Sequence, residues 1–143
     1  MASGIYNNYK ARMLGLGNMV DLDGDTIKIA LLTSSYTPDF DAHDFFDDVS
    51  ANEVGASGTY SAGGATLSVT LTQDNTDNEG VFDATDVSWT SATITARYAV
   101  IYKSTGTPGT SPLIALIDFG SDQTSTSGTF AITFAAEGIV NVN

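Results

Sequence analysis

The stretch Thr26-Ile27-Lys28-Ile29-Ala30-Leu31-Leu32-Thr33 decides the fold, because its side chains alternate with a period of two. In an extended strand this alternation sends Ile27, Ile29 and Leu31 to one face of a sheet, and the residues between them to the other face. The residues before Thr26 follow a helical spacing instead. The sequence therefore predicts that the β part of the chain begins here.

The same alternation returns in later segments of the chain. It is clear at residues 67–71, 94–102, 113–119 and 130–134, and weaker at residues 80–83, 87–89 and 139–142. The connectors at residues 104–111 and 120–128 are rich in Ser, Thr, Gly and Pro, as hairpin loops are. About eight strands joined by turns are typical of an all-β fold, and we predict an antiparallel β-sandwich of the jelly-roll kind.

Residues 1–20 are predicted to form a helical arm, because apolar side chains recur there at spacings of three and four. Ser3 is a suitable N-cap, whereas Gly15 and Gly17 weaken the last turn. The segment contains Lys10 and Arg12 but no acidic residue. It either closes one end of the core or docks on a neighbouring acidic subunit. The residues on its apolar face are Tyr6, Tyr9, Met13, Leu16 and Val20.

The chain of 143 residues has the size of a single domain. We divide it into the arm at residues 1–20 and a β-sandwich at residues 26–143. The sandwich includes a long loop at residues 34–64, in which only residues 43–49 have a helical character. A loop of this length usually has a functional role or contacts a partner.

The charge balance restricts the possible partners. Seventeen acidic residues against five basic ones give a net charge of −12, which disfavours nucleic acid and anionic membranes. Cysteine is absent, so disulfides and thiolate metal sites are excluded. The chain has neither a signal-peptide pattern nor an apolar run of transmembrane length. We expect the protein to be made and kept in a cytoplasm, unless it leaves as part of a particle released by lysis.

No segment carries a complete cofactor, metal or catalytic motif. Asp21-Leu22-Asp23-Gly24-Asp25 begins like a calcium loop, but Thr26 replaces the required glycine and Leu32 replaces the bidentate glutamate. The acidic loop at residues 39–48 contains the only histidine, His43, without the second nitrogen or sulfur ligand that a transition metal prefers. We therefore predict that residues 21–25 form a turn and that residues 39–48 form a solvated loop. We expect no bound metal, no cofactor and no enzymatic activity.

Aromatic residues suggest two further roles. Phe40, Phe45 and Phe46 in the acidic loop are expected to face either the core or a partner. Together with Tyr6, Tyr9, Met13 and Leu16 they form our hypothetical assembly interface. Trp89, with tyrosines such as Tyr36 and Tyr60, could instead form a stacking platform for a glycan, provided that it is exposed.

Several blocks of sequence resemble small structural proteins of tailed bacteriophages, over residues 25–138. The resemblance is carried by the strand at residues 26–33 and by five later blocks. These are Asp44-Phe45-Phe46-Asp47-Asp48-Val49, Tyr60-Ser61-Ala62-Gly63-Gly64, Ala96-Arg97-Tyr98-Ala99-Val100-Ile101-Tyr102-Lys103, Ser111-Pro112-Leu113-Ile114 and Ile117-Asp118-Phe119-Gly120.

This resemblance implies a virion component and carries over no catalytic residue. A small sandwich domain with a terminal arm is similar to capsid decoration or cement proteins, which clamp shell subunits from outside. The expected partners are the major capsid protein or other virion proteins and sister copies of the chain. The alternative function is a glycan-binding or host-adhesion module on the tail or head exterior.

Overall fold

The computed structural model describes residues 3–17 and 19–143, so Met1, Ala2 and Asn18 of the expected arm lie outside the described residues. Two short α-helices are present, α1 (Asn7–Met13) and α2 (Asp47–Ser50), with a 3-10 turn at Pro108–Thr110. The described strands are β1 (Gly4–Ile5), β2 (Ile27–Leu32), β3 (Ala65–Thr66), β4 (Val69–Asp74), β5 (Glu79–Ala84), β6 (Val87–Lys103), β7 (Leu113–Ile132) and β8 (Val140–Val142).

The strands form two antiparallel sheets. The larger has the order β1-β7-β6-β2-β3, and the smaller has the order β4-β5-β8. The all-β sandwich of about eight strands with a short N-terminal helix is therefore confirmed. No described helix has the length and apolar character needed to span a bilayer.

The main core lies between the two sheets. Alternate residues of β2, namely Ile27, Ile29 and Leu31, are fully buried there, as the period of two predicts. Side chains of β6 lie beside them, and Phe82 and Val140 approach from the smaller sheet. Burial of each large apolar side chain contributes roughly 1.5–3 kcal/mol, so this layer is a major source of stability.

The opposite face of the larger sheet is also buried. Ala30 and Leu32 of β2 lie there in a second apolar cluster. Tyr6 from the N-terminal segment and Tyr36 and Phe46 from the long loop cover this face. The loop at residues 34–64 therefore forms a second layer of core over the sheet.

The loop is fastened to the sheet by a chain of hydrogen bonds. The Tyr60 hydroxyl accepts from the Leu31 amide (2.9 Å) and donates to a Glu53 carboxylate oxygen (2.7 Å). The same oxygen accepts from the Gly63 amide (2.6 Å). At Gly64, φ is +73°, and a Cβ would lie 1.8 Å from the carbonyl oxygen of Ile29. Only glycine allows the loop to approach β2 this closely.

The hairpin of β6 and β7 corrects the sequence analysis. Residues 120–128 were predicted to be a hairpin loop, but they belong to β7, and residues 87–89 belong to the start of β6. The ladder bends where residues 119–122 bulge out of β7, since Ala96 pairs with Gln123 and Tyr98 with Asp118. Gly120 adopts φ +81° in this bulge. The residues rich in Ser, Thr and Gly, which were expected to form a loop, instead form a bend within a strand.

The N-terminal segment is shorter as a helix than predicted, and it is tied to the sheet. β1 pairs with Leu116 and Ala115 of β7. The helix ends at Met13 in a Schellman motif, in which the Leu16 amide donates to Ala11 and the Gly15 amide to Arg12. Gly15, with φ +109°, is the left-handed residue that this motif requires. It therefore terminates the helix.

An ion pair holds the bend of the β6–β7 hairpin. Arg97 Nε donates to Asp118 Oδ1 at 2.8 Å, and the Gly120 amide donates to the same oxygen at 2.8 Å. The hydrogen bond from Arg97 and that from Gly120 lower the pKa of Asp118 to about 2. The carboxylate is therefore favoured in its charged form at the bulge.

Because of this ion pair, we predict that part of the protein's folding stability is lost in acid. A carboxyl whose pKa is lowered by folding stabilises the protein above its unfolded value of about 3.9, and this contribution is lost as pH falls toward about 2. Asp118→Asn should therefore lower the melting temperature at neutral pH and reduce its fall between about pH 4 and pH 2. Exposed Asp23, as Asp23→Asn, is the matched control. An unchanged acid dependence in Asp118→Asn would contradict this assignment.

Candidate interaction surface

The structure separates the seven residues of the hypothetical assembly interface into two groups. Tyr6, Tyr9 and Phe46 are buried in the chain's own core, and Phe40 and Phe45 are half-buried beside it. Tyr6 and Tyr9 therefore help to close the core, which is one of the two roles expected of the arm. Met13 and Leu16 remain exposed and available to a partner.

The aromatic residues of the arm and the loop pack on one another. Phe40 contacts the Tyr6 ring edge to face, with centroids 5.2 Å apart, and Phe46 stacks on Tyr102 at 4.1 Å. The Phe45 ring lies under the guanidinium of Arg12, 5.3 Å from the ring centroid. Arg12 is itself buried and donates to the Gly17 carbonyl oxygen. The positive charge of Arg12 therefore interacts with groups of the same chain.

A buried chain of hydrogen bonds joins the arm to the acidic loop. The Tyr6 and Tyr36 hydroxyls are 3.0 Å apart, and the Tyr36 hydroxyl is 2.9 Å from His43 Nδ1. Burial raises the pKa of Tyr6 and Tyr36, so both hydroxyls stay protonated. The single histidine therefore has a structural partner in the core.

Large apolar side chains of the described residues remain exposed around a groove on the smaller sheet and in the segment that follows α1. Met13, Leu71 and Val142 line a shallow groove of about 220 Å³ together with buried Tyr9 and Phe82. The residues following α1 add further exposed apolar side chains, including Leu14 at 91% exposure. We call the complete set the apolar surface, and its members are Met13, Leu14, Leu16, Met19, Leu71 and Val142.

Sequence reasoning identified only Met13 and Leu16 of this surface. Leu14 and Met19 lie off the predicted helical face, and their exposure depends on where the helix ends. Leu71 was assigned correctly to a strand, but it lies at the open end of the smaller sheet. The one usable signal was Gly15, a residue type that often follows the end of a helix.

The acidic motifs are turns. In the Asp21–Asp25 segment, Asp21 Oδ1 accepts from the amides of Asp23 and Gly24, both at 3.1 Å. Asp25 forms an ion pair with Lys103 at 2.9 Å. A second acidic group, not identified from the sequence, lies at the β4–β5 turn. There Asp74, Asp77 and Glu79 bring one carboxylate oxygen each within 4.8 Å of the others.

The aromatic residues proposed for glycan stacking are buried. Trp89 is 2% exposed and packs edge to face on Tyr60, with centroids 5.2 Å apart. Tyr60 and Tyr36 are buried as well. None of these three rings presents a face on which a sugar could stack.

Comparisons of the chain with protein-family models, curated proteins and solved structures gave no match. The similarity to virion proteins therefore remains a prediction from the sequence blocks.

Tyr36→Phe should reduce the free energy of unfolding by about 1–3 kcal/mol, because it leaves the buried Tyr6 hydroxyl and His43 Nδ1 without their shared partner. Urea denaturation measures this change. Tyr9→Phe is the matched control, since Tyr9 is also buried but its hydroxyl forms no hydrogen bond to the described residues. If Tyr36→Phe costs no more than Tyr9→Phe, the hydrogen-bond chain does not contribute to stability.

Metal chelation should leave the melting temperature unchanged. The Asp21 carboxylate already accepts backbone hydrogen bonds, and that of Asp25 is paired with Lys103. Thermal unfolding in EDTA, compared with unfolding in added calcium, checks this expectation. A melting temperature that falls in EDTA and recovers with calcium would overturn the turn assignment. In that case Asp74→Asn would test whether the β4–β5 turn is responsible.

Proposed function

We propose that this chain is a non-enzymatic structural protein of a tailed-bacteriophage virion. Within the virion it acts as a capsid decoration protein that binds the major capsid protein, or another virion protein, and sister subunits. It is made in the host cytoplasm and is incorporated into the particle, without a cofactor, nucleic acid or membrane.

The apolar surface is the observation that supports this proposal. Among the described residues, six large apolar side chains stay exposed, whereas most of those in the sheets and the long loop are buried. Three of them, Met13, Leu71 and Val142, line one groove, and exposed apolar groups that lie together often mark a protein interface. A protein that acts by binding needs such a surface and no enclosed reaction site.

Charge supports the same proposal. The net charge of −12 keeps the body of the protein away from anionic nucleic acid. The apolar surface includes four side chains from the acid-free segment before Val20, where Lys10 is exposed. A virion partner that contacts this segment would meet Lys10 there, whereas the groove residue Val142 lies beside Asp74 and Glu79 of the β4–β5 turn.

The adhesion alternative has less support. It required exposed aromatic rings, and Trp89, Tyr36 and Tyr60 are all buried. A glycan-binding site on this chain would need a different platform.

Two measurements test the proposed function. Mass spectrometry of purified particles of the encoding phage should detect the chain in many copies, and absence from the particles would refute the proposal. Purified chain should also bind particles that lack it. Leu71→Ser with Val142→Ser should weaken this binding by at least about tenfold, because each buried apolar side chain contributes on that order.

The matched control for this binding test is Thr70→Ala. Thr70 is exposed beside Leu71 in β4, but its side chain lies on the other face of the strand. If the control binds as tightly as the parent chain while the double variant binds more weakly, the interaction depends on Leu71 and Val142 of the apolar surface. Equal loss in both would assign the effect to a general disturbance of β4 and contradict the role of the groove.

A further inference from the structure

An open cleft of about 630 Å³ lies along the end of β7 and the residues that follow it. Its lining includes seven consecutive residues, 129–135. The side chains of a strand alternate between the two faces of a sheet, so a cleft against one face is lined by every second residue. A lining that includes every residue indicates that this cleft lies against the edge of the strand. We call residues 129–135 the edge segment.

The edge of β7 beside this segment has no neighbouring strand among the described residues. β1 pairs with β7 only at Ala115 and Leu116, near the other end of the strand. β6 pairs with the opposite edge of β7 as far as Ile132. The backbone groups of the edge segment that point away from β6 therefore face the cleft.

A hydrogen bond of Phe134 shows which backbone groups these are. Its amide donates to Asp86 Oδ1 at 2.9 Å, and Asp86 immediately precedes β6. The amides of an extended chain alternate in direction, so those of Thr129, Ala131 and Thr133 point away from β6. These three residues present N–H and C=O groups to the cleft. A row of such groups is complementary to the backbone of an added strand.

The edge segment lacks the features that normally keep an exposed edge from pairing, which are charges and proline. Residues 123–136 contain neither, although 15% of the residues of the chain are charged. A bulge precedes Gly128, so regular pairing is confined to the residues from Gly128 onward. The edge segment has the sequence Thr-Phe-Ala-Ile-Thr-Phe-Ala, without glycine. Uncharged segments of this length that are rich in β-formers pair readily with copies of themselves.

We infer that the edge segment of one copy pairs antiparallel with the edge segment of a second copy, about a two-fold axis at Ala131. Thr129 of one copy then lies opposite Thr133 of the other, and the two Ala131 residues lie opposite each other. The residues whose backbone groups face the cleft thus pair with one another, and the two larger sheets become continuous. The inference deepens the proposed function, on which it rests, by assigning the contact between sister subunits.

The side chains of this pair are complementary on both faces, which selects a second copy as the partner. On the inner face, Phe130 of each copy lies opposite Ile132 of the other, and aromatic side chains pair favourably with β-branched ones across strands. Phe134 is half-buried in the single chain, and it lies opposite Gly128 of the other copy, where no side chain competes for space. On the outer face, threonine lies opposite threonine, which is also a favourable pair.

Charge favours the same contact. Two copies with a net charge of −12 repel one another over most of their surfaces. The contact is made by residues 128–134, none of which is charged. It therefore joins two acidic proteins without placing carboxylates opposite one another. A basic partner would be expected to bind at carboxylates, which this edge lacks.

The contact is isologous, because both copies use the same segment. Pairing covers the open edge of β7 in both copies, so association through this edge stops at a dimer. The far edge of the larger sheet is formed by β3, which has only two residues. Such a short edge strand is poorly suited to extending the sheet further.

Opposite charges at Ala131 test the two-fold register. Ala131 is exposed, so the single chain can accommodate a charged side chain there. In the dimer, Ala131→Glu places two carboxylates opposite each other, and Ala131→Lys places two ammonium groups there. Ser88→Glu is the matched control. Ser88 is exposed and lies in register with Ala131, but on β6, one strand away from the edge.

Sedimentation velocity of the purified full chain measures self-association without particles. The parent and Ser88→Glu should form the same dimer, whereas Ala131→Glu and Ala131→Lys alone should each dimerise at least about tenfold more weakly. An equimolar mixture of these two variants should regain the dimer, because Glu then lies opposite Lys. Circular dichroism and melting temperature establish that each variant is folded.

A backbone variant tests the hydrogen bonds independently of charge. Ala131→Pro removes an amide that faces the cleft and leaves the ladder to β6 in place, as proline does on an edge strand. It should also weaken dimerisation by at least about tenfold. If the charged variants are unfolded, Ala131→Pro replaces them, and dimerisation equal to that of the parent then refutes the contact.

Several results would overturn the inference. These are a parent chain that remains monomeric at high concentration, an Ala131→Glu variant that dimerises like the parent, and charged variants whose mixture regains no dimer. A monomeric parent whose Ala131→Glu variant no longer binds particles would assign the edge to a strand of a shell protein. That result also refutes pairing with a second copy.

The proposed function fails independently of this contact. A chain that dimerises as described but is missing from purified particles refutes the virion assignment and leaves the contact standing. A chain that is present on particles but monomeric in solution, with an Ala131→Glu variant that binds particles normally, refutes the contact alone.

Discussion

Burial of the larger sheet on both faces is the constraint on which the rest of the structure depends. β2 lies inside this sheet, and its alternate residues enter two separate clusters: Ile29 lies between the sheets and Leu32 lies under the long loop. A strand buried on both faces needs a cover on each side. The smaller sheet supplies one cover, and the N-terminal segment and the loop at residues 34–64 supply the other.

This arrangement determines how the aromatic residues are used. Tyr6, Tyr36 and Phe46 cover the sheet, so they are unavailable to a partner or a sugar. The hydroxyls that come with them need buried partners, which the Tyr6–Tyr36–His43 chain provides. The acidic loop therefore presents carboxylates to solvent and aromatic rings to the core, and the side chains that stay exposed and apolar are aliphatic ones elsewhere in the chain.

Those aliphatic side chains lie where the sandwich is incomplete. The smaller sheet has three strands beneath five, so it leaves an open end near Leu71 and an open side beside Phe119. The first opening is the groove beside Met13 and Val142, and the second is a cleft lined by Phe119, Phe130 and Phe134. Both openings follow from the unequal number of strands in the two sheets.

The sequence by itself determined the fold class, the strand at Ile27–Leu32 and the turn at Asp21–Asp25, because periodicity and turn chemistry are local properties. It could not determine the length of β7, since the Ser, Thr and Gly residues of a bulged strand resemble those of a loop. Nor could the sequence decide whether the side chains of Tyr9 and Leu14 are buried or exposed to water. Burial depends on contacts between residues far apart in the chain, and only the tertiary structure places Tyr6 against Tyr36 and leaves Leu14 exposed.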